Sequence, residues 1–204
     1  MRIFTVTGYK GGIGKSTTSF HLATYLSAQG RTVLIDGDPN RTAVKWAARG
    51  RADGYETPFA VADEGEAAAL VSGADFLVID TPARPDSSDM RELAAGCDLL
   101  ILPTTPDIVS LEPMLDTARE LPATANYKAL ITVVPPYPSR EGEAMQADLR
   151  GGGVPVFRTM IRRTVAFGRA ALAGRPLRDL DDARTRAAWD DYHSLGLEIM
   201  QALS

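Results

Sequence analysis

The opening stretch of the chain sets the tightest limit on its fold. Ile3-Phe4-Thr5-Val6-Thr7 is a short apolar run and reads as a strand. Thr17 to Ala28 follow a helical pattern, with Phe20, Leu22, Ala23, Tyr25 and Leu26 as the apolar positions. Between them lies Lys10-Gly11-Gly12-Ile13-Gly14-Lys15-Ser16-Thr17. Strand, glycine loop and helix in that order is the context a phosphate-binding loop requires. Glycines let successive backbone N–H groups turn inward and approach phosphate oxygens closely. The helix N-terminus adds partial positive charge. In such a loop Lys15 reaches the β- and γ-phosphates and the Ser16 hydroxyl ligates Mg²⁺. The strict spacing places a glycine at position 9, where this chain has Tyr, and the loop carries a second lysine, Lys10, instead.

Further along, Thr32-Val33-Leu34-Ile35-Asp36 read as a second buried strand, ending in Asp36-Gly37-Asp38-Pro39-Asn40. Pro39 forces extended geometry on Asp38 and stops the strand. Two carboxylates at a strand's C-terminal end, beside a phosphate loop, can serve Mg²⁺ and a water nucleophile. The other reading of the pair is a solvated Asx turn. Asp75 to Asp80 form the next apolar strand, and Asp80 at its end matches the position that holds Mg²⁺ in phosphoryl-transfer sites. Arg84, in the loop after it, is left unassigned.

Helices are expected over 41–49, 64–71, 90–95, 107–121, 140–149 and 184–203, and strands over 59–61, 98–103, 127–134 and 154–157. Ile108, Leu111, Met114, Leu115 and Ala118 share one face of the helix over 107–121, suited to core or dimer packing. Trp46 fits a core or an exposed contact equally. Pro135 and Pro136, at the end of a strand, are placed to wall a nucleotide base. Alternating β and α elements with continuously apolar strands imply an α/β fold: one domain over 1–204, a mostly parallel twisted sheet with helices on both faces.

Composition removes several alternatives. A single cysteine, Cys97, allows neither a disulfide framework nor a CxxC metal site, and suits a core position. It also excludes a subunit-bridging iron–sulfur cluster, which needs at least two. No apolar run approaches the length of a membrane span, and a strand at the N-terminus leaves no room for a signal peptide, so a cytoplasmic protein is expected. The terminal helix carries Asp190, Asp191 and Glu198 and no Lys or Arg after Arg186, unlike a basic membrane-binding helix. The net charge is −4, yet Arg158 to Arg178 hold six arginines and no acid. Codon bias explains 18 Arg against 4 Lys but not that local absence of carboxylates. Guanine recognition by Asn-Lys-x-Asp is missing, since Asn126-Tyr127-Lys128-Ala129 does not supply it, so ATP is the expected nucleotide.

The loop with Lys10, the Asp36-Gly37-Asp38-Pro39 turn and the Asp80 strand together resemble the deviant phosphate loop of the ParA/MinD family of ATPases, specifically its small ParA-type partition members. The resemblance runs across nearly the whole chain. It implies a P-loop ATPase using ATP and Mg²⁺, with Gly11, Gly12, Ile13, Gly14, Lys15, Ser16 and Thr17 around the nucleotide. It implies Ser16, Asp36 and Asp80 at the metal, and Asp38 orienting the attacking water. Lys10 corresponds to the signature lysine, which reaches the nucleotide held by a partner subunit. Arg158, Arg162, Arg163, Arg169 and Arg175 fall where small ParA-type proteins bind DNA without sequence preference, Arg163 and Arg169 being the first matches. The implied function is an ATP-closed homodimer on nucleoid DNA, released by a ParB-type centromere-binding activator, that segregates a plasmid or chromosome. A MinD-like or other protein-cargo positioning ATPase shares every catalytic motif and is the alternative; a metabolic P-loop synthetase is a third.

Overall fold

The computed structural model describes residues 1–83 and 85–203; Arg84 lies outside the described residues. Six strands form one sheet: β1 (Arg2–Gly8), β2 (Thr32–Asp36), β3 (Ala60–Asp63), β4 (Phe76–Ala83), β5 (Leu99–Thr104) and β6 (Tyr127–Ile131). Their order is β3-β2-β4-β1-β5-β6, and every pairing is parallel. The helices are α1 (Lys15–Leu26), α2 (Thr42–Ala52), α3 (Ala67–Val71), α4 (Ser87–Ala95), α5 (Ile108–Glu120), α6 (Glu141–Gly151), α7 (Ala166–Ala173) and α8 (Ala183–Ala202). Because side chains alternate across a strand, β1 sends Phe4 and Val6 to one face and Ile3 to the other. The first face packs on α1, α2, α7 and α8, the second on α3 to α6. Among the described residues no helix is long and apolar enough to cross a membrane.

The expected elements are present with boundaries shifted by a few residues, with one exception. Residues 154–157 do not form a strand. They make an isolated bridge from Val156 to Ala129, and Arg162 makes another to Val134. Pro155 has no N–H to donate. The amides of Arg158 and Thr159 instead donate to the buried Glu198 carboxylate of α8, at 2.9 to 3.1 Å. β6 also ends three residues early, because Val133 turns into the left-handed region at φ 56°. On α5, Met114 is buried, but Ile108 is 76% exposed and does not join the core face.

Trp46 is a core residue, stacked on Phe20 with ring centroids 4.4 Å apart. Beside it lies His21, fully buried and stacked on Tyr192 at 4.8 Å. Leu177 N donates to His21 Nε2 at 3.3 Å, which leaves Nδ1 as the donor to Thr17 O at 2.8 Å. One ring thus joins the first turn of α1, the short 3-10 turn at Leu177–Asp179 and α8. Burial pushes its pKa down to about 4. The ring is neutral when folded, and the unfolded chain binds one more proton between that value and about 6.5. Stability therefore falls as pH drops through that window, by about 2 kcal/mol at pH 5 from this residue. Urea denaturation at pH 7 and pH 5 should show this loss, and His21→Gln, neutral throughout, should show a smaller one.

Candidate nucleotide site

The loop between β1 and α1 lies at the C-terminal edge of the sheet. Gly12 and Gly14 hold φ of 77° and 82°, conformations that a side chain strains, so these two positions require glycine. Gly14 is the N-cap of α1, and no side chain caps the helix. The first-turn amides are consequently available to an anion. The loop is fixed from beneath by Thr132, whose hydroxyl donates to Ile13 O at 2.8 Å and to Thr104 O at 3.2 Å. Lys15 is buried, with Nζ donating to Lys10 O at 3.0 Å. Burial pushes its ammonium below the ordinary lysine value, against the pull of Asp80 and Asp38.

Asp80 is fully buried at the end of β4, its Oδ1 accepting from Ser19 Oγ at 3.1 Å. Its Oδ2 has no partner; the other such atom among the described residues is Thr7 Oγ1, at the end of adjacent β1. Burial pushes the Asp80 carboxyl up to about 7, helped by the nearby Asp36 charge and opposed by the neighbouring Ser16 and Ser19 hydroxyls and Lys15. An orphaned carboxylate oxygen beside a serine hydroxyl and open helix amides fits a magnesium ion carrying phosphate. Among the described residues no three His, Cys, Asp or Glu converge on a metal position. Mg²⁺ needs no such cage, since it keeps waters and uses one or two carboxylates plus substrate phosphates. Asp80 and Ser16 would hold it, and it would supply charge neutralisation to the bound phosphates.

Asp36 is buried and already occupied: Oδ2 accepts from Val44 N at 3.0 Å, at the start of α2, and Oδ1 from Asp38 N at 3.2 Å. Asp38 is half-buried and closes an Asx turn by accepting Asn40 N at 2.8 Å. It remains close enough to Lys15 to act on its charge. Lys10 points away from the phosphate cradle. Its Nζ donates to Ser110 Oγ at 2.9 Å and lies 3.6 Å from Asp107. The structure thus brings Lys15, Ser16, Thr17, Asp36, Asp38 and Asp80 to one strand-end cluster and leaves Lys10 at its side.

A cleft of about 170 Å³ opens beside Gly12, Gly14 and Thr17, between the end of β6 and residues 161–164. Its walls include Thr132, Val133 and Phe167. Pro135 and Pro136 do not line it. Val133 is the more informative neighbour, because a β-branched residue at positive φ is strained, and such strain concentrates at functional sites. Ser19, Thr132 and Val133 escaped the sequence reading. Ser19 could have been found, one helical turn beyond Ser16; nothing local marks the other two.

The five arginines have separate fates. Arg162 forks onto Asp191 at 2.6 and 2.7 Å. Arg169 pairs with Asp182 at 3.2 Å. Arg175 is half-buried and stacks over the Tyr55 ring at 5.1 Å. Arg158 is exposed, 4.0 Å from Glu198. Arg163 is exposed and its side chain has no partner among the described residues. The contiguous basic surface expected from the sequence is therefore interrupted by the chain's own carboxylates.

Fold and site define a phosphate-loop nucleotide-binding domain. The chain belongs to the CobQ/CobB/MinD/ParA nucleotide binding domain family, whose model matches residues 4–177. It is a ParA/MinD-type ATPase domain, and ATP and Mg-ADP are nucleotides that solved structures of this fold hold. It is 34% identical over 205 residues to maintenance of carboxysome distribution protein A of Gloeobacter kilaueensis, covering 97% of this chain and 94% of that one. A plasmid partition protein of Borrelia burgdorferi bound to AMPPNP has the same fold, with TM-score 0.74, 17% identity and coverage of 98% and 99%. Cyanothece McdA without nucleotide also gives TM-score 0.74, at 16% identity, covering 96% and 99%.

Lys15→Ala should weaken ATP binding by roughly 10- to 100-fold, the loss of a charge-assisted contact. The nucleotide-free melting temperature should not fall, since a desolvated ammonium is removed. Fluorescent-ATP titration with a thermal melt checks both, and undiminished affinity would remove Lys15 from the phosphates.

Proposed function

We propose that this chain is an ATP-driven positioning ATPase that distributes a protein-built cargo, the class to which carboxysomes belong. The observation that carries the reading is likeness along 97% of the chain to a relative named for carboxysome distribution. The surface agrees with it: Arg162, Arg169 and Arg175 are engaged within the chain rather than free for DNA. In this reading the loop amides and Lys15 hold the phosphates, and Ser16 and Asp80 hold Mg²⁺. Asp36 sets the turn, and Asp38 orients the attacking water. ATP closes a homodimer in which Lys10 leaves Ser110 and Asp107 for the partner's nucleotide. A cargo-resident protein, in place of a ParB-type activator, stimulates hydrolysis. The chain works in the cytoplasm.

Plasmid or chromosome segregation is the second reading, favoured by one observation: Arg163 stays exposed at the wall of the nucleotide cleft. DNA binding across a salt series separates the two. Phosphate-dominated binding would be steep in salt and indifferent to sequence. We expect no ATP-dependent binding; binding that Arg163→Ala weakens would favour segregation.

Asp38→Ala should lower ATP turnover by about 100-fold or more while leaving ATP affinity intact, the loss expected when a water-positioning group is removed. Single-turnover hydrolysis beside nucleotide titration checks it, and unchanged turnover would leave Asp38 as an Asx-turn residue only.

A further inference from the structure

The two faces of the sheet are covered unequally. One face lies under a single apolar cluster from α1, α2, α7 and α8. The opposite face carries two clusters that do not join: one over β5 and β6 beneath α4, α5 and α6, the other over β2 to β4 beneath α3. The five residues of α3 cannot span the distance to α4. Over β1 and β4 this leaves a groove of about 440 Å³. Thr5, Ile79 and Thr81 form its floor and Leu93 of α4 one wall, while Gly37 and Gly96 contribute backbone without side-chain bulk. Three exposed carboxylates line it, Glu64, Asp89 and Glu92, and no lysine or arginine does among the described residues.

We propose that this groove docks a segment of another protein that carries alternating apolar and arginine side chains. Ile79, Pro82, Pro85 and Leu93 give the groove apolar surface against which one or two aliphatic side chains can be buried. Carboxylates on opposite sides, Glu64 before β4 and Asp89 with Glu92 on α4, suit cations projecting outward from the same segment. Arginine fits better than lysine, since its guanidinium is less strongly hydrated and forks onto carboxylates.

The groove also touches the nucleotide site through the main chain. Pro82 and Pro85 line it, in the stretch directly after Asp80. Gly37 N, in the turn between Asp36 and Asp38, donates to Asp80 O at 2.8 Å. Thr81 Oγ1 donates to Val6 O at 3.1 Å. A docked segment therefore bears on the strand end and turn that carry the site carboxylates. That consequence rests on the proposed ATPase roles; the docking itself rests on the groove alone.

The test uses the full chain and a fluorescein-labelled hexapeptide of alternating Leu and Arg, with a Leu-Glu peptide as control. Anisotropy should show binding of the arginine peptide only, weakened by salt. Glu64→Lys with Glu92→Lys should weaken it about tenfold or more, as expected for reversing two exposed charges. Both substitutions are on the surface, so circular dichroism and ATP affinity should match wild type. Hydrogen exchange should show protection at 79–83 and 89–96 on peptide addition. Equal binding of the variant, equal binding of the Leu-Glu peptide, or protection confined to other segments would overturn the proposal. So would a wild-type dimer in sedimentation that the double variant loses, because the occupant would then be a second copy of this chain. ATP affinity and turnover, measured in parallel, report separately on the nucleotide site.

Discussion

A buried carboxylate with an oxygen that nothing satisfies is expensive, and the nucleotide site is arranged around one. Asp80 has one oxygen on Ser19 and one on nothing, in a position closed to water. Such a group either holds a proton, as its raised pKa allows, or takes a ligand that offsets its desolvation. Opposite it, α1 begins without a side-chain cap, leaving amide donors open. An orphan acceptor and a row of orphan donors complement a cation joined to phosphates. The parallel sheet makes this possible. All six strands deliver their C-terminal ends to one edge, so Thr7, Asp36 and Asp80 arrive together although 73 positions separate the first from the last in the chain.

Beneath that edge, α1 is held by polar contacts rather than by apolar packing alone. His21 bonds the carbonyl of Thr17 and the amide of Leu177, and Thr18 bonds Tyr192 at 3.1 Å. These residues back the wall that includes Phe167 and Tyr192 in the cleft beside the loop. The phosphate loop is therefore anchored to the C-terminal helix through one buried aromatic stack. Fully satisfied buried polar networks specify one arrangement, because each alternative leaves an unpaired group in low dielectric. The loop can in this way stay rigid with two glycines in left-handed conformations.

Much of the fold was legible because its strands are buried on both faces and read as continuous apolar runs. The loop and the three aspartates were legible because their roles depend on local order: strand, turn, helix. What escaped depended on pairing at a distance. The segment 154–157 has strand composition, but Pro155 has no donor and the ladder is not continued beyond Phe157, because the amides of Arg158 and Thr159 turn to Glu198, which lies forty residues from Arg158. Ile108 carries the right periodicity for a core face yet, as the first residue of α5, is left exposed. Trp46, undecidable in sequence, is settled by Phe20 stacking on it. The arginine cluster looked like free charge because its acids, Asp182 and Asp191, lie outside the stretch that was counted.

The same distinction between local charge and paired charge governs Lys10. Its ammonium rests against Ser110 and Asp107, with the two charged side chains 40% and 47% exposed. A pair so open to water stabilises by at most about 1 kcal/mol. A triphosphate carries several charges in a site walled by backbone dipoles, where electrostatic contacts are stronger than at an open surface. The contact with Asp107 is therefore a resting position and not a lock. In the proposed dimer, a second surface brought to the loop would offer Lys10 the phosphates in place of Asp107. Ile108 and Val109, 76% and 66% exposed, stand directly beside Asp107. Covering them removes water from the Lys10–Asp107 pair as well, which raises the cost of leaving either charge half-matched. In the proposed dimer, apolar contact at the head of α5 and movement of Lys10 would thus be coupled through one carboxylate.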